Sequence, residues 1–229
     1  MESIQSAVAK GQRALNEYQA KELLRSYGIP TVAETLARTP DEAVAAAAAI
    51  GWPVALKACG PDILHKTEAG LLALGLAGEA MLRDQWIRIE KAARQLHLDG
   101  MLVQAMAKGR REMVIGMKRE SAFGPCVMVG LGGVMTEVFR DTAFRVAPFD
   151  NVEATDMIGE LRSRSLLEAF RGEAAADLDT LCRTAVAVGR IAEDFSAIAE
   201  IDINPVVISP DGKIVAVDAL ILLESEEEK

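Results

Sequence analysis

The sequence predicts an α+β fold with mixed sheets, and three observations carry that prediction. Short apolar runs such as "PVALKAC" and "INPVVI" read as strands. Amphipathic stretches with helical spacing and clear start and stop signals stand between them. Packing rests on aliphatic side chains, because half of the chain is apolar while aromatics make up only 4%, a composition common where sheets are covered by Ala-rich helices. With 229 residues the chain can bury one large core or two modest lobes.

Taken in order, "LNEYQAKELLRSYGIP" places Leu15, Tyr18, Leu23, Leu24 and Tyr27 at helical intervals, with Glu17 four residues ahead of Lys21 and a Gly-Ile-Pro stop. "TVAETLA" follows as a short strand. Thr39 then caps a helix that has Pro40 at its first position and Asp41 and Glu42 facing the positive end of the dipole. "WPVALKACG" reads as a buried strand, "LLALGLA" as another, and residues 79–97 as a helix. "GMLVQAMAKG" and "REMVIGMKRE" form two strands joined by a basic turn, and further strands punctuated by glycines run through "GPCVMVGLGGVMTEVFRDTAFRVAPF". Helical periodicity returns in "NVEATDMIGELRSRSLLEAF" and "DLDTLCRTAVAVGRIAEDF", linked by residues 171–176. The chain ends in a strand, a Pro-Asp-Gly-Lys hairpin, a second strand and an acidic tail over 225–229.

A net charge of −9 argues against a nucleic-acid or anionic-membrane surface. No N-terminal stretch has the make-up of a secretory signal, and no apolar run approaches the roughly 18 residues that cross a bilayer, so the expected address is cytoplasmic. Cys59, Cys126 and Cys182 are odd in number and far apart, which suggests neither a disulfide framework nor a zinc site; all three are expected to be buried thiols.

The chemistry concentrates in a few places. In "EIDINPVV" strand alternation puts Glu200, Asp202 and Asn204 on one face and Ile201 and Ile203 on the other. Asp218 is the lone carboxylate of the partner run "KIVAVDALILL" and needs a partner or a cation to offset its desolvation. The hairpin turn near Asp211 and Gly212 folds it back beside Asn204, an arrangement of oxygens that suits Mg²⁺, which takes few protein ligands and completes its shell with phosphates. The alternative is an Asp218 that caps a turn beside a wet Glu200 face. Lys57 ends an apolar strand, so its ammonium is expected to emerge at an edge, where it either meets phosphates or simply snorkels to water. There is no GxxxxGK[ST] loop, and "GLGGVM" is too short for a dinucleotide fingerprint. One of only two histidines, His65, stands in the Gly/Pro/Asp-rich loop "PDILHKTEAG"; the other, His97, has no motif around it and reads as structural.

Together, "LNEYQAKELLRSYGIP", "PVALKACGPDILHKTEAG", "LVQAMAKGRREMVIGMKRE", "FGPCVMVGLGGVMTEVFRD" and "EIDINPVVI" with "VAVDA" resemble the ATP-grasp (β) subunit of the nucleoside-diphosphate-forming acyl-CoA synthetases, the ADP-forming acetyl-CoA synthetase type, related to the succinyl-CoA synthetase β subunit. The resemblance covers nearly the whole chain. It implies an ATP-grasp fold with a smaller lobe over 30–106 and a second lobe made of 1–29 with 107–229, the two clasping ATP and the second carrying the Mg²⁺ site. Lys57 then matches the lysine that contacts nucleotide phosphates, Gln104, Ala105 and Met106 the adenine hinge, Glu112 the acid beside the ribose, and Asn204 and Asp218 the Mg²⁺ ligands.

His65, in "HKTEAGL", takes the position of the family's loop histidine in an HK(S/T)DVGG setting. A neutral imidazole accepts a phosphoryl group near pH 7 and can pass it on. The resemblance therefore implies a relay between ATP/ADP here and a phosphohistidine on an α subunit that also binds CoA, in an α2β2 assembly. The overall reaction would join an acid and CoA at the expense of ATP, giving acyl-CoA, ADP and phosphate. The loop departs from the family pattern, with Glu68-Ala69-Gly70-Leu71 for Asp-Val-Gly-Gly, so the second glycine is lost. Two other readings compete: an ATP-grasp carboxylate–amine ligase, which needs no histidine carrier, and a nucleotide-sensing subunit without chemistry of its own.

Overall fold

The computed structural model describes residues 2–63, 66, 69–132 and 141–224. The chain divides into two compact units, Glu2–Gln19 with Val32–Met106 and Ala20–Thr31 with Ala107–Lys229. His65, Glu68 and the acidic tail 225–229 lie outside the described residues.

The first unit holds α1 (Glu2–Ala9), the two-residue β1 (Ala14–Leu15), the first turn of α2 (Glu17–Ser26), β2 (Glu34–Ala37), α3 (Pro40–Ile50), β3 (Val54–Cys59), β4 (Leu72–Leu76), α4 (Glu79–Ala92) and β5 (Gly100–Ala105). Its sheet is antiparallel in the order β2-β5-β3-β4. The start of α3 is the predicted one: Glu42 N donates to Thr39 Oγ1 at 3.2 Å, Pro40 opens the first turn, and Glu42 Oε2 accepts from Arg38 N at 2.7 Å. Small side chains at Ala43, Ala46 and Ala47 bring α3 close to the sheet, and Leu82, Trp86 and Ile89 of α4 join them over Val54, Leu56 and Ala58. Each fully buried Leu or Val in this layer contributes roughly 1.5 to 3 kcal/mol. Period-two alternation sends Ala55, Lys57 and Cys59 to the other face. All six residues of β3 are buried, so this central strand reads as a continuous apolar run rather than an alternating one.

The second unit holds the rest of α2, β6 (Arg111–Glu120), β7 (Gly124–Leu131), β8 (Thr142–Val146), α5 (Asn151–Gly159), a 3₁₀ turn over Arg164–Leu167, α6 (Leu178–Asp194), β9 (Ile198–Ile208), β10 (Ile214–Ala216) and β11 (Leu220–Leu223). Its strands run β11-β9-β6-β7-β8, with β10 also paired to β9. Helix α6 packs on β6 and β7 through a face that includes Leu181, Ala185, Val188 and Ile191, and α5 lies beside it. Asp150 and Asp177 cap the two helices, accepting from Val152 N and from Thr180 N. These ladders are all antiparallel, as the turns between β6 and β7 and between β9 and β10 require: they are far shorter than the dozen or so residues a parallel crossover needs. Thr31 and Ala216 add one isolated parallel bridge.

Three local expectations change. The helix predicted over 79–97 ends at Ala92. The periodic stretch after Asn151 breaks after Gly159, where Asp141 draws off two amides: Arg162 N donates to its Oδ1 at 3.0 Å and Ser163 N to its Oδ2 at 2.8 Å. Cys59 and Cys182 are buried free thiols, but Cys126 is only half-buried on β7.

Candidate nucleotide and metal site

In the first unit Lys57 lies inside β3, opposite Leu72 of β4 and Leu102 of β5, and only 3% of it is exposed. The expected emergence at an edge is corrected: the strand is central, and the ammonium is held by a buried carboxylate. Lys57 Nζ donates to Glu17 Oε1 at 2.7 Å, while Lys66 Nζ lies 2.9 Å from Glu17 Oε2. Burying an ammonium costs several kcal/mol unless it is paired, and Glu17 supplies that pairing. Gln104 is buried two register positions along, opposite Ala55, and Ala105 ends β5 with its N–H on Ala33 O at 2.9 Å. Met106 is the last residue of this unit.

The loop after β3 starts against the backbone: a Cβ on Gly60 would come 2.1 Å from His97 O. It closes where Leu71 N donates to Lys66 O at 2.9 Å. Leu71, which replaces the family's second glycine, is 2% exposed and belongs to the helix-side core. Its side chain therefore serves packing. Gly70 keeps a left-handed φ of +66° that suits glycine. His97 is not on a helix; it is an exposed side chain with Nε2 3.5 Å from Asp99 Oδ1, so the structural reading holds only for its backbone carbonyl against Gly60.

In the second unit Glu112 is half-buried on β6, opposite Val207, and its carbonyl accepts from Gly132 N at 2.8 Å. On β9, Ile201 and Ile203 are buried, Glu200 and Asp202 are half-buried, and Asn204 is exposed, as alternation predicts. The hairpin returns as expected. Gly212, at φ +86°, closes the turn by donating to Ser209 O at 2.9 Å.

The partner strand is interrupted between β10 and β11, and Pro205 explains why. Ala216 faces Val206 and Leu220 faces Asp202, so the register continues across the gap and sets Val217 against Pro205 and Asp218 against Asn204. Val217 N donates to Pro205 O at 3.0 Å, but proline has no N–H to return. Val217 O instead accepts from the fully buried Lys21 Nζ at 3.2 Å. Asp218 Oδ1 accepts from Ala219 N at 2.9 Å.

Burial, then the nearby charges of Glu200 and Asp218, pushes the Asp202 carboxyl up. This face is thus crowded with negative oxygen donors, a set that suits a hard divalent cation. Among the described residues no three His, Cys, Asp or Glu side chains are grouped to hold an ion by themselves. Mg²⁺ needs no such cage, since it is usually held by one or two protein oxygens plus waters and phosphates, and the donors present fit it. Beside them a cavity of about 400 Å³ is lined by Gly116, Cys126, Met128, Phe144, Asp202 and Asn204, among others.

Residues 6–223 match the family model described as ATP-grasp domain. The chain belongs to the ATP-grasp family. It is 37% identical over 227 residues to the acetate–CoA ligase [ADP-forming] II subunit beta of Pyrococcus furiosus, covering 96% of each chain. A dinucleotide-forming acetyl-coenzyme A synthetase 1 of Ca. Korarchaeum cryptofilum, solved with coenzyme A, Ca-AMPCP and HgCl⁺, superposes with a TM-score of 0.90 at 39% identity over 96% of this chain and 98% of that one. A second structure of that synthetase holds coenzyme A and Mg-AMPPCP with its phosphohistidine segment pointing towards the nucleotide-binding site; there the TM-score is 0.85 at 38% identity, over 97% and 99%. From end to end this ATP-grasp chain is similar to proteins named as β subunits of ADP-forming acetate–CoA ligases. The described residues contain no helix long and apolar enough to cross a membrane.

Sequence reasoning missed Glu17, Lys66 and Lys21. Glu17 and Lys21 read as an ordinary i,i+4 helix pair, and nothing local shows that both are buried. Their roles depend on partners 40 and 196 positions away.

Proposed function

We propose that this chain is the nucleotide-binding β subunit of an ADP-forming acyl-CoA synthetase, which with an α subunit converts acid, CoA and ATP to acyl-CoA, ADP and phosphate. The end-to-end correspondence with an acetate–CoA ligase β subunit, 96% of both chains, carries the reading. The α subunit supplies the CoA-binding and phosphohistidine domains, the assembly is α2β2, and the enzyme works in the cytoplasm. The smaller nucleotide lobe is built on residues 32–106 with Glu2–Gln19 added to the expected 30–106, and Ala20–Thr31 with residues 107–229 form the other.

Within this chain Lys57 directs its ammonium to the nucleotide phosphates, which then compete with Glu17 for it. Gln104, Ala105 and Met106 border the adenine, and Glu112 accepts from the ribose hydroxyls. Asn204 and Asp218 hold Mg²⁺, which when bound spreads the negative charge that builds up on the phosphates. His65 is the acceptor: one imidazole nitrogen attacks the γ-phosphorus, an N–P bond forms, and the P–O bond to ADP breaks with its electron pair left on ADP. The reverse step returns the group, so one set of residues serves either direction of net flux.

Calorimetry of ADP and ATP with Mg²⁺ tests the binding part, with binding expected for the wild type and weakened by Lys57→Ala and by Asp218→Ala. Reconstitution with the α subunit tests the relay. His65→Ala is expected to abolish turnover and the acid-labile, base-stable phosphoprotein, and retained turnover would refute the relay.

A further inference from the structure

Glu17 is a buried group that the nucleotide reading leaves without a task. It opens α2, and two neighbours fix it there. Asn16 Oδ1 accepts from Gln19 N at 2.8 Å while Gln19 Oε1 accepts from Asn16 N at 3.2 Å, a reciprocal capping box. Asn16 Nδ2 donates to Asp99 Oδ2 at 2.7 Å, and Asp99 N donates to Cys59 O at 2.8 Å at the end of β3. The helix start is thereby tied to the strand that carries Lys57.

The carboxylate has two oxygens and gives one to each of two lysines, with Lys57 Nζ at 2.7 Å and Lys66 Nζ at 2.9 Å. All three side chains are withdrawn from solvent, Glu17 to 1%, Lys57 to 4% and Lys66 to 11%. Lys66 follows His65 in the chain. A single carboxylate thus touches both the proposed phosphate lysine and the immediate neighbour of the proposed phosphate acceptor.

We propose that Glu17 is a positioning residue for phosphoryl transfer: one oxygen fixes the Lys57 ammonium and the other tethers Lys66, the residue that follows His65 in the sequence. This rests on the roles of Lys57 and His65 given above. Lysine is a point charge on a flexible four-carbon stem, and phosphoryl transfer depends on position more than on any covalent aid from the protein. Referring two such stems to one carboxylate removes their freedom before nucleotide arrives. Glu17 acts through the two lysines that it holds. Aspartate, shorter by one methylene, cannot reach both lysines from the same backbone position, which explains why the residue here is glutamate.

The test uses the reconstituted α–β holoenzyme with Glu17→Gln, Glu17→Asp and Lys66→Met, each checked for folding by circular dichroism. For Glu17→Gln the KM for ADP or ATP should rise and kcat should fall, each by about tenfold, because both lysines lose their anchor. Glu17→Asp should lose less than Glu17→Gln in both constants. For Lys66→Met kcat and the single-turnover yield of phosphohistidine on this chain should fall about fivefold while the nucleotide KM stays within about twofold, because the tether is cut while Lys57 keeps its anchor. A purely structural Glu17 would lower the melting temperature and leave kcat and KM at wild-type values, which overturns the proposal. Should Glu17→Gln not fold, Lys66→Met decides alone: an unchanged kcat refutes the tether, and the KM-against-kcat split supports it. If Lys57→Ala and His65→Ala leave turnover intact, the underlying reading falls; if they abolish it while the Glu17 and Lys66 variants turn over normally, only this proposal falls.

Discussion

In the unit built on β3, charge is satisfied in place: the buried Lys57 ammonium lies 2.7 Å from Glu17, and Lys66 takes the other oxygen of the same carboxylate. In the unit built on β9, charge is crowded around Asp202: burial, and then the nearby Glu200 and Asp218, push its carboxyl up. The difference follows from exposure. A fully buried ammonium has to bring its counterion into the fold, because desolvation costs several kcal/mol. Half-buried carboxylates keep part of their hydration and leave room for a cation to complete the set. The first region is organised by folding alone, and in the proposed reading a bound cation completes the second.

The largest expected effect breaks the second region. Asp218→Ala should lower holoenzyme kcat by about a hundredfold or more and remove Mg²⁺-dependent nucleotide binding in calorimetry; binding at wild-type strength would detach Asp218 from the metal. Its cost to folding should be small by comparison.

Lys57→Met does the opposite. It takes the Lys57 ammonium from Glu17, and urea denaturation should show a loss of about 3 kcal/mol, the low end for breaking a buried ion pair. A loss as small as that of Asp218→Ala would erase the contrast between the two regions.

Lys21→Met sharpens the picture at the strand gap. It takes the ammonium from the Val217 carbonyl that Pro205 cannot serve, so the same measurement should register about 2 kcal/mol for a lost hydrogen bond from a charged group.

A smaller effect carries the reverse sign. Because the folded pKa of Asp202 lies above its unfolded value, the folded state holds the extra proton, and stability falls as pH rises from about pH 4 through the raised folded pKa. Metal-free Asp202→Asn should therefore melt higher than wild type at pH 7 and match it near pH 3. Equal melting temperatures at both pH values would show that the crowding has no energetic weight.

The smallest effect concerns the thiols. Burial pushes Cys59 up to about 12, while Cys126 is only half-buried on β7 beside the cavity. A thiol-reactive dye should label Cys126 about an order of magnitude faster than Cys59 or Cys182, and equal rates would contradict these burials.

Local rules sufficed for much of this molecule. The Thr39 cap and Pro40, the β9 alternation that buries Ile201 and Ile203, and the Gly212 turn that returns Asp218 toward Asn204 were all legible in the sequence, because each depends on residues within a few positions of one another or on one short hairpin. The order of motifs also disclosed the ATP-grasp family, since the match runs from residue 6 to residue 223. Tertiary structure decided the rest. Whether Lys57 would meet water or a carboxylate depended on β3 lying between β4 and β5 and on the start of α2 arriving at its face. The break after Gly159 depended on Asp141, some 20 positions earlier, capturing two amides. Leu71 looked like a lost loop glycine and proved to be a core side chain. In each case the deciding partner is remote in sequence, and its desolvation or hydrogen bonding, rather than local propensity, sets the outcome.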